Sequence, residues 1–321
     1  MTADEMVEAT PAGRASLANG PVAVLINRSA GTVRSVGVKA VEAVFREAIG
    51  NRLVMMASGS GKDMAQLVRD ALDSGATTIL PIGGDGTCTA VAEMGRRQGF
   101  VTSALPGGTK NILAKRLWGE MDLIDIAAAI RDGDVDVRKM DAGDANGRLF
   151  FVGASFGLIP HLARARERLR GRAQPSGIWA ALRHVLRLGR RGLFSPRVVF
   201  TDSSGSSHRY AALMVSVKSI DETLFRAGEK DDPASFDCAA SSPKGWWHMM
   251  WLAFKAVFTD VWRDDSQIDL FNLPELTVTG RSVIALALDG ETIALRSPVR
   301  LTMLQDAIPM LGLKQNERPD D

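Results

Sequence analysis

The chain has 321 residues, 45% of them hydrophobic and 24% charged, which suits two globular domains with separate cores and excludes a fibrous or disordered chain. A net charge of +2 leaves no overall footprint for nucleic acid, so any basic patch must be local. Cys88 and Cys238 are the only cysteines; they offer neither zinc-ligand spacing nor a disulfide framework, as expected in a reducing cytoplasm.

Residues 1–20 carry Asp4, Glu5 and Glu8 without an apolar core of signal-peptide length and read as a loose tail. From Pro21 to about Met140, apolar runs alternate with helical patterns, as in a doubly wound sheet. The predicted strands are Val22 to Ile26, Leu53 to Ala57, Thr77 to Ile82 and Val101 to Leu105. The predicted helices are Val33 to Ile49, Asp63 to Leu72, Cys88 to Arg97, Asn111 to Trp118 and Leu123 to Arg131. Each strand-to-helix junction holds small or polar residues. This puts Asn27 to Thr32, Ser58 to Gly61, Gly83 to Thr87 and Gly107 to Asn111 along the carboxyl edge of the sheet, where open α/β folds bind ligands.

After Met140 the pattern changes to short strands: Phe150 to Ser155, Arg197 to Thr201, Tyr210 to Val217, Ile268 to Phe271, Leu276 to Thr279, Val283 to Leu288 and Thr292 to Leu295. They predict an antiparallel β-sandwich, interrupted by a helical stretch from Leu158 to Gly192. Val299 to Leu304 is a last strand whose sheet the pattern does not specify. The longest apolar stretch, Trp246 to Phe258, is interrupted by His248 and Lys255 and falls short of the roughly 20 residues of a spanning helix.

Gly83-Gly84-Asp85-Gly86-Thr87 follows a predicted strand and precedes a predicted helix. Its glycines allow a sharp turn and a close approach to phosphate, and the helix offers unpaired N–H groups and the positive end of its dipole. Asp85 adds a carboxylate that anion binding alone would not favour, which points to a metal ion or a proton acceptor and so to phosphoryl transfer. An ordinary turn is the other reading of such a cluster. Ser58-Gly59-Ser60-Gly61-Lys62 fails as a P-loop: Met56 stands where the first glycine belongs and Asp63 where the magnesium-binding hydroxyl belongs. It reads instead as the start of a helix. Asn27 to Thr32 is either a backbone nest for phosphates or a helix cap, and Gly107-Gly108-Thr109-Lys110-Asn111 is a third glycine turn on the same edge. Asp289-Gly290-Glu291 lies between two β runs and predicts a hairpin turn, its carboxylates available to take a hydroxyl proton.

In this order, the Asn27 to Gly31 turn, Gly83 to Thr87, Gly108-Thr109-Lys110-Asn111 and Asp289-Gly290-Glu291 resemble the diacylglycerol kinase catalytic family, which includes bacterial lipid kinases and the sphingosine and ceramide kinases. The resemblance spans about residues 21–305 and implies an α/β nucleotide-binding domain, NAD kinase-like, followed by a β-sandwich lipid-binding domain. The implied boundaries are 21–140 with about 298–313 returning, and 141–297 with the insertion 158–192. Carried over, the ATP contacts are Asn27, Arg28, Ser29, Ala30 and Gly31; Ser58, where the family often has Thr; Gly83, Gly84, Asp85, Gly86, Thr87, Cys88, Thr89 and Ala90; and Gly108, Thr109 and Asn111. Asp85 acts through magnesium, Asp141 is an acid that helps to position metal, and the general base is Asp289 or Glu291. The chain departs from the family at Arg28 (for Pro), at Thr89-Ala90 (for Asn-Glu) and at Ile112 (for Asp). Asp231-Asp232-Pro233 replaces the Asp-Gly step of the family's structural metal turn, and proline cannot adopt the positive φ of that glycine.

Leu158, Leu162, Ala165 and Leu169 recur at helical spacing among Arg164, Arg166, Arg168, Arg170 and Arg172. Such a face either packs on the sandwich and is solvated outside or docks on an anionic bilayer. Trp246, Trp247, Trp251, Phe254, Phe258 and Trp262 form an aromatic stripe read as core or acyl-pocket lining ahead of membrane insertion. The reading is an ATP- and magnesium-dependent lipid kinase with diacylglycerol as first substrate. It is cytoplasmic and peripheral to the inner face of the membrane, with no nucleic-acid partner and a homodimer left open. The alternatives are an NAD kinase-like or sphingoid-base kinase, or a binding homologue without turnover.

Overall fold

The computed structural model describes residues 20–157, 198–202, 204–217, 234–241, 268–280 and 282–314. The tail up to residue 19, the arginine-rich stretch 158–192, Asp231-Asp232-Pro233 and the aromatic stripe 246–262 lie outside the described residues. The chain divides into two units, residues 1–141 with 306–321, and residues 142–305.

In the first unit the elements are β1 (Val22–Asn27), α1 (Gly31–Val36), α2 (Val38–Ile49), β2 (Leu53–Gly59), α3 (Met64–Asp73), β3 (Thr78–Gly83), α4 (Asp85–Gln98), β4 (Val101–Thr102), β5 (Leu105–Pro106), α5 (Ile112–Trp118) and α6 (Leu123–Asp132). The strand β6 (Val135–Ala145) leads out of it. The second unit contains β7 (Arg148–Phe150), β8 (Gly153–Gly157), β9 (Val198–Asp202), β10 (Ser207–Tyr210), β11 (Ala212–Ser216), β12 (Phe236–Ser241), β13 (Ile268–Leu273), β14 (Glu275–Thr279), β15 (Val283–Leu288) and β16 (Glu291–Arg296). The last strand, β17 (Val299–Leu313), begins in the second unit and ends in the first.

β1 and β3 are buried at every position, as strands covered by helices on both faces must be. The parallel sheet of the first unit runs β17-β4-β3-β1-β2, with β5 also pairing with β3. The chain therefore reverses its strand order between β1 and β3, the switch point at which doubly wound sheets open a crevice for a ligand. The predicted helix Val33 to Ile49 is two helices, because Gly37 at φ +92° breaks it. The predicted strand Val101 to Leu105 is likewise split. Between its halves the buried Ser103 hydroxyl donates to Leu311 O at 2.8 Å and accepts from Trp118 Nε1 at 3.2 Å, tying the returning strand to α5.

In the second unit β13-β12-β11-β8-β15-β16 form a six-stranded antiparallel sheet, and β10-β9-β14 pair with the first part of β17 in the other. Phe156, Leu213, Phe236 and Leu286 from the one sheet share a core with Phe200, Val278 and Leu301 from the other, so the predicted sandwich is present. No helix among the described residues is long and apolar enough to cross a membrane.

Both cysteines are buried. Burial, and then the charge of Asp85, pushes the Cys88 thiol up to about 12; burial, and then Asp237, pushes Cys238 up as well. Thiolate is the reactive form. We expect neither cysteine to react with a thiol reagent at neutral pH until the protein unfolds, which titration with and without denaturant checks.

Candidate functional site

The carboxyl ends of β1, β2, β3 and β5 bring four junctions to one edge of the first unit, and hydrogen bonds link them. Asn27, the last residue of β1 and 8% exposed, donates from Nδ2 to Thr87 Oγ1 at 2.8 Å. That bond spans the switch point. Asn27 Oδ1 also accepts from Ser29 N at 3.0 Å, which shapes the turn that carries the exposed Arg28 and Ser29. Arg28 N donates to Gly59 O at 2.9 Å, Thr32 N to Gly107 O at 2.9 Å and Gly107 N to Gly83 O at 2.8 Å.

The glycine doublets meet backbone to backbone. A Cβ on Gly107 would lie 2.8 Å from Gly83 Cα, and one on Gly108 would lie 2.7 Å from Gly84 Cα. A Cβ on Gly83 would in turn meet the Thr87 side chain at 2.8 Å. These positions require glycine to let two turns touch, beyond any need of a ligand.

The junctions differ in what their helix ends offer. At Ser58 to Asp63, the Asp63 carboxylate accepts from Ser60 N at 2.7 Å and Ser60 Oγ at 2.8 Å, closing the turn before α3. Those bonds, the backbone one first, hold the Asp63 carboxyl below its ordinary value. The sequence reading of a helix start rather than a P-loop fits this geometry. At Gly108 to Asn111, Asn111 sits at φ +51° and exchanges two bonds with Gly108, accepting from its N–H at 2.7 Å and donating to its carbonyl at 2.9 Å. Asn tolerates this left-handed conformation where most residues do not. The first turn of α5 then receives a side chain from elsewhere: Asp85 Oδ1 accepts from Leu113 N at 3.1 Å. α4 begins at the extended Gly84, and, as at α1 and α3, no side chain caps it. Its amino-terminal N–H groups and dipole mark the place where an anion would sit.

Asp85 lies half-buried on the first turn of that same helix. Among the described residues no three His, Cys, Asp or Glu side chains converge to hold a metal. One carboxylate beside an anion site does fit a magnesium ion carried by a nucleotide, which needs only one or two protein oxygens. Asp141 is placed differently: its Oδ1 accepts from Asp306 N at 2.8 Å and holds β17 to β6. Cys88 also needs correction as a ligand contact, because its side chain is 2% exposed and packs against Pro81 O in the core. Ala30 is buried with its N–H donated to Asn27 O, and Ser58, Thr89 and Ala90 are half-buried, whereas Gly31 and Thr109 are exposed.

Thr32, Pro106 and Asn111, at two of these junctions, also line a cavity of about 510 Å³ with mainly apolar walls, among them Val41, Phe45 and Leu123.

In the second unit, Asp289 and Gly290 join β15 to β16 as a two-residue hairpin turn at φ +48° and +84°, the mirror-image turn that suits strand twist. The Asp289 carboxylate accepts three backbone N–H bonds: Phe151 to Oδ2 at 2.8 Å, and Val152 and Gly153 to Oδ1 at 2.8 and 3.0 Å. Glu291 is exposed at the head of β16.

Residues 21–145 match the diacylglycerol kinase catalytic domain family. Proteins named "Probable lipid kinase YegS-like" from two strains of Pseudomonas aeruginosa are 36% identical over 122 residues, 37% of this chain. The match spans 39% of the length of those relatives. A crystal structure titled as a diacylglycerol kinase from Bacillus anthracis strain Sterne superposes with a TM-score of 0.60 over 92% of this chain and 97% of that one, at 17% identity, a likeness of fold alone.

Proposed function

We propose, on the premise that residues 21–145 are a diacylglycerol kinase catalytic domain, that the protein transfers the γ-phosphate of ATP to the hydroxyl of a lipid, with diacylglycerol as the first substrate. The observation that carries this reading is the glycine-paired edge at the switch point, with α4 uncapped beside Asp85. In the proposed reaction the nucleotide's phosphates lie on the amino-terminal N–H groups of α4. Asn27 and Thr87 brace β1 against that helix. Asp85 would hold the nucleotide's magnesium, which supplies charge neutralisation on the phosphates.

The lipid hydroxyl oxygen forms the new bond to the γ-phosphorus, the bond to the β,γ-bridging oxygen breaks, and ADP departs. The hydroxyl proton passes to Glu291, the carboxylate of the acidic hairpin that is exposed. Asp141, whose Oδ1 accepts from Asp306 N, is given no step in this scheme. The arginine-rich stretch 158–192 is assigned, from its sequence alone, to docking on anionic lipid.

The test is an acceptor panel with ATP and magnesium: diacylglycerol, a sphingoid base and NAD. We expect phosphate on a lipid alcohol. Phosphorylation of NAD alone would establish the other class of kinase that shares the Gly83 to Thr87 element.

A further inference from the structure

We propose that Asp289 is a positioning residue and not the proton acceptor of the acidic hairpin. Its carboxylate fixes the break between β7 and β8, and with it the turn that presents Glu291. The catalytic part of this assignment rests on the kinase reading; the structural part does not.

The break at Phe151 and Val152 interrupts what the sequence predicts as one strand. Backbone N–H groups at such a break need acceptors. Asp289 supplies them to three successive residues, and its own N–H donates to Gly153 O at 2.9 Å. Regular pairing of β15 with β8 ends at Leu288 and Ala154, so the side chain carries the junction one step past the ladder. From the other side, Val152 O accepts from Ser216 Oγ and Val217 N, each at 3.1 Å. A Cβ on Gly153 would lie 2.6 Å from Val215 O. The segment is thus held between β11 and the hairpin with no slack.

A carboxylate that accepts three backbone N–H bonds is stabilised in its charged form. Three of its four lone-pair sites are filled by these N–H groups, and a proton at the second lone pair of Oδ2 would weaken the oxygen that Phe151 N–H uses. Glu291, two residues further and exposed, is under no such constraint. The hairpin therefore divides its two acids between holding and proton transfer.

The full-length chain is compared as wild type, Asp289→Asn, Asp289→Ala and Glu291→Gln, by amide hydrogen exchange at Phe151 to Gly153 and by steady-state kinetics. We expect exchange at those amides to speed up by about tenfold or more in Asp289→Ala. Asp289→Asn, which keeps one acceptor oxygen, should fall between, and Glu291→Gln should match wild type. In turnover, Asp289→Asn should lower kcat by about tenfold to a hundredfold, with the KM for ATP and the shape of the pH profile kept, whereas Glu291→Gln should remove the rise of kcat on the acid side. Unchanged exchange in both Asp289 variants overturns the assignment, as does an Asp289→Asn variant that loses the acid-side rise. If Asp289→Ala does not fold, Asp289→Asn decides. A wild type that transfers no phosphate overturns the kinase reading, and the exchange result then decides the holding role by itself.

Discussion

Gly108→Ala is expected to weaken ATP binding by about tenfold or more, with each decade worth about 1.4 kcal/mol, while the chain still folds. The new methyl group would lie 2.7 Å from Gly84 Cα and 3.2 Å from Asn111 Oδ1. Neither neighbour is the free end of a flexible side chain: one is backbone, and the other is held by the Gly108 N–H itself at 2.7 Å. Relief requires the two glycine turns to separate, and the turn that yields carries either the amino terminus of α4 or the cap of α5. Overpacking of this kind typically costs about 1–3 kcal/mol. At about 2–4 °C per kcal/mol for a chain of middling size, Tm should fall by several degrees. Calorimetric titration with ATP, together with a thermal melt, reads both effects. Unchanged affinity would mean that the glycine contact does not shape the nucleotide site.

Glu291→Gln is expected to lower kcat by about 10²–10⁴, the range for removing a positioned proton acceptor, which is roughly 3–5 kcal/mol of barrier. Affinity for ATP and Tm should stay at wild-type values, because Glu291 is exposed and the amide is isosteric. That combination separates loss of chemistry from loss of structure. A variant with full kcat would remove Glu291 from the reaction.

The sequence made the alternation of the first unit legible because β1 and β3 are continuous apolar runs between glycine-rich junctions. It hid β6, in which Asp136, Arg138, Asp141 and Asp144 interrupt any apolar face. It also hid β12, whose residues Phe236-Asp237-Cys238-Ala239-Ala240-Ser241 are mostly small but buried throughout. At the site, the role of Asn111 was readable as a turn residue, yet the contact between Gly83-Gly84 and Gly107-Gly108 was not, since a doublet does not reveal which other doublet it touches. The hold of Asp289 on Phe151 to Gly153 joins residues 136 to 138 positions apart. A hairpin signal specifies the φ values of Asp289 and Gly290; it carries no information about the partner of the carboxylate.

The measurement that bears most directly on the central claim is transfer of label from γ-labelled ATP, with magnesium and a total lipid extract as the only source of acceptor, followed by identification of the labelled product. The account predicts label in a lipid whose free hydroxyl has become a phosphomonoester, and its loss in Glu291→Gln. Folded protein that binds ATP and leaves every lipid unlabelled would contradict it.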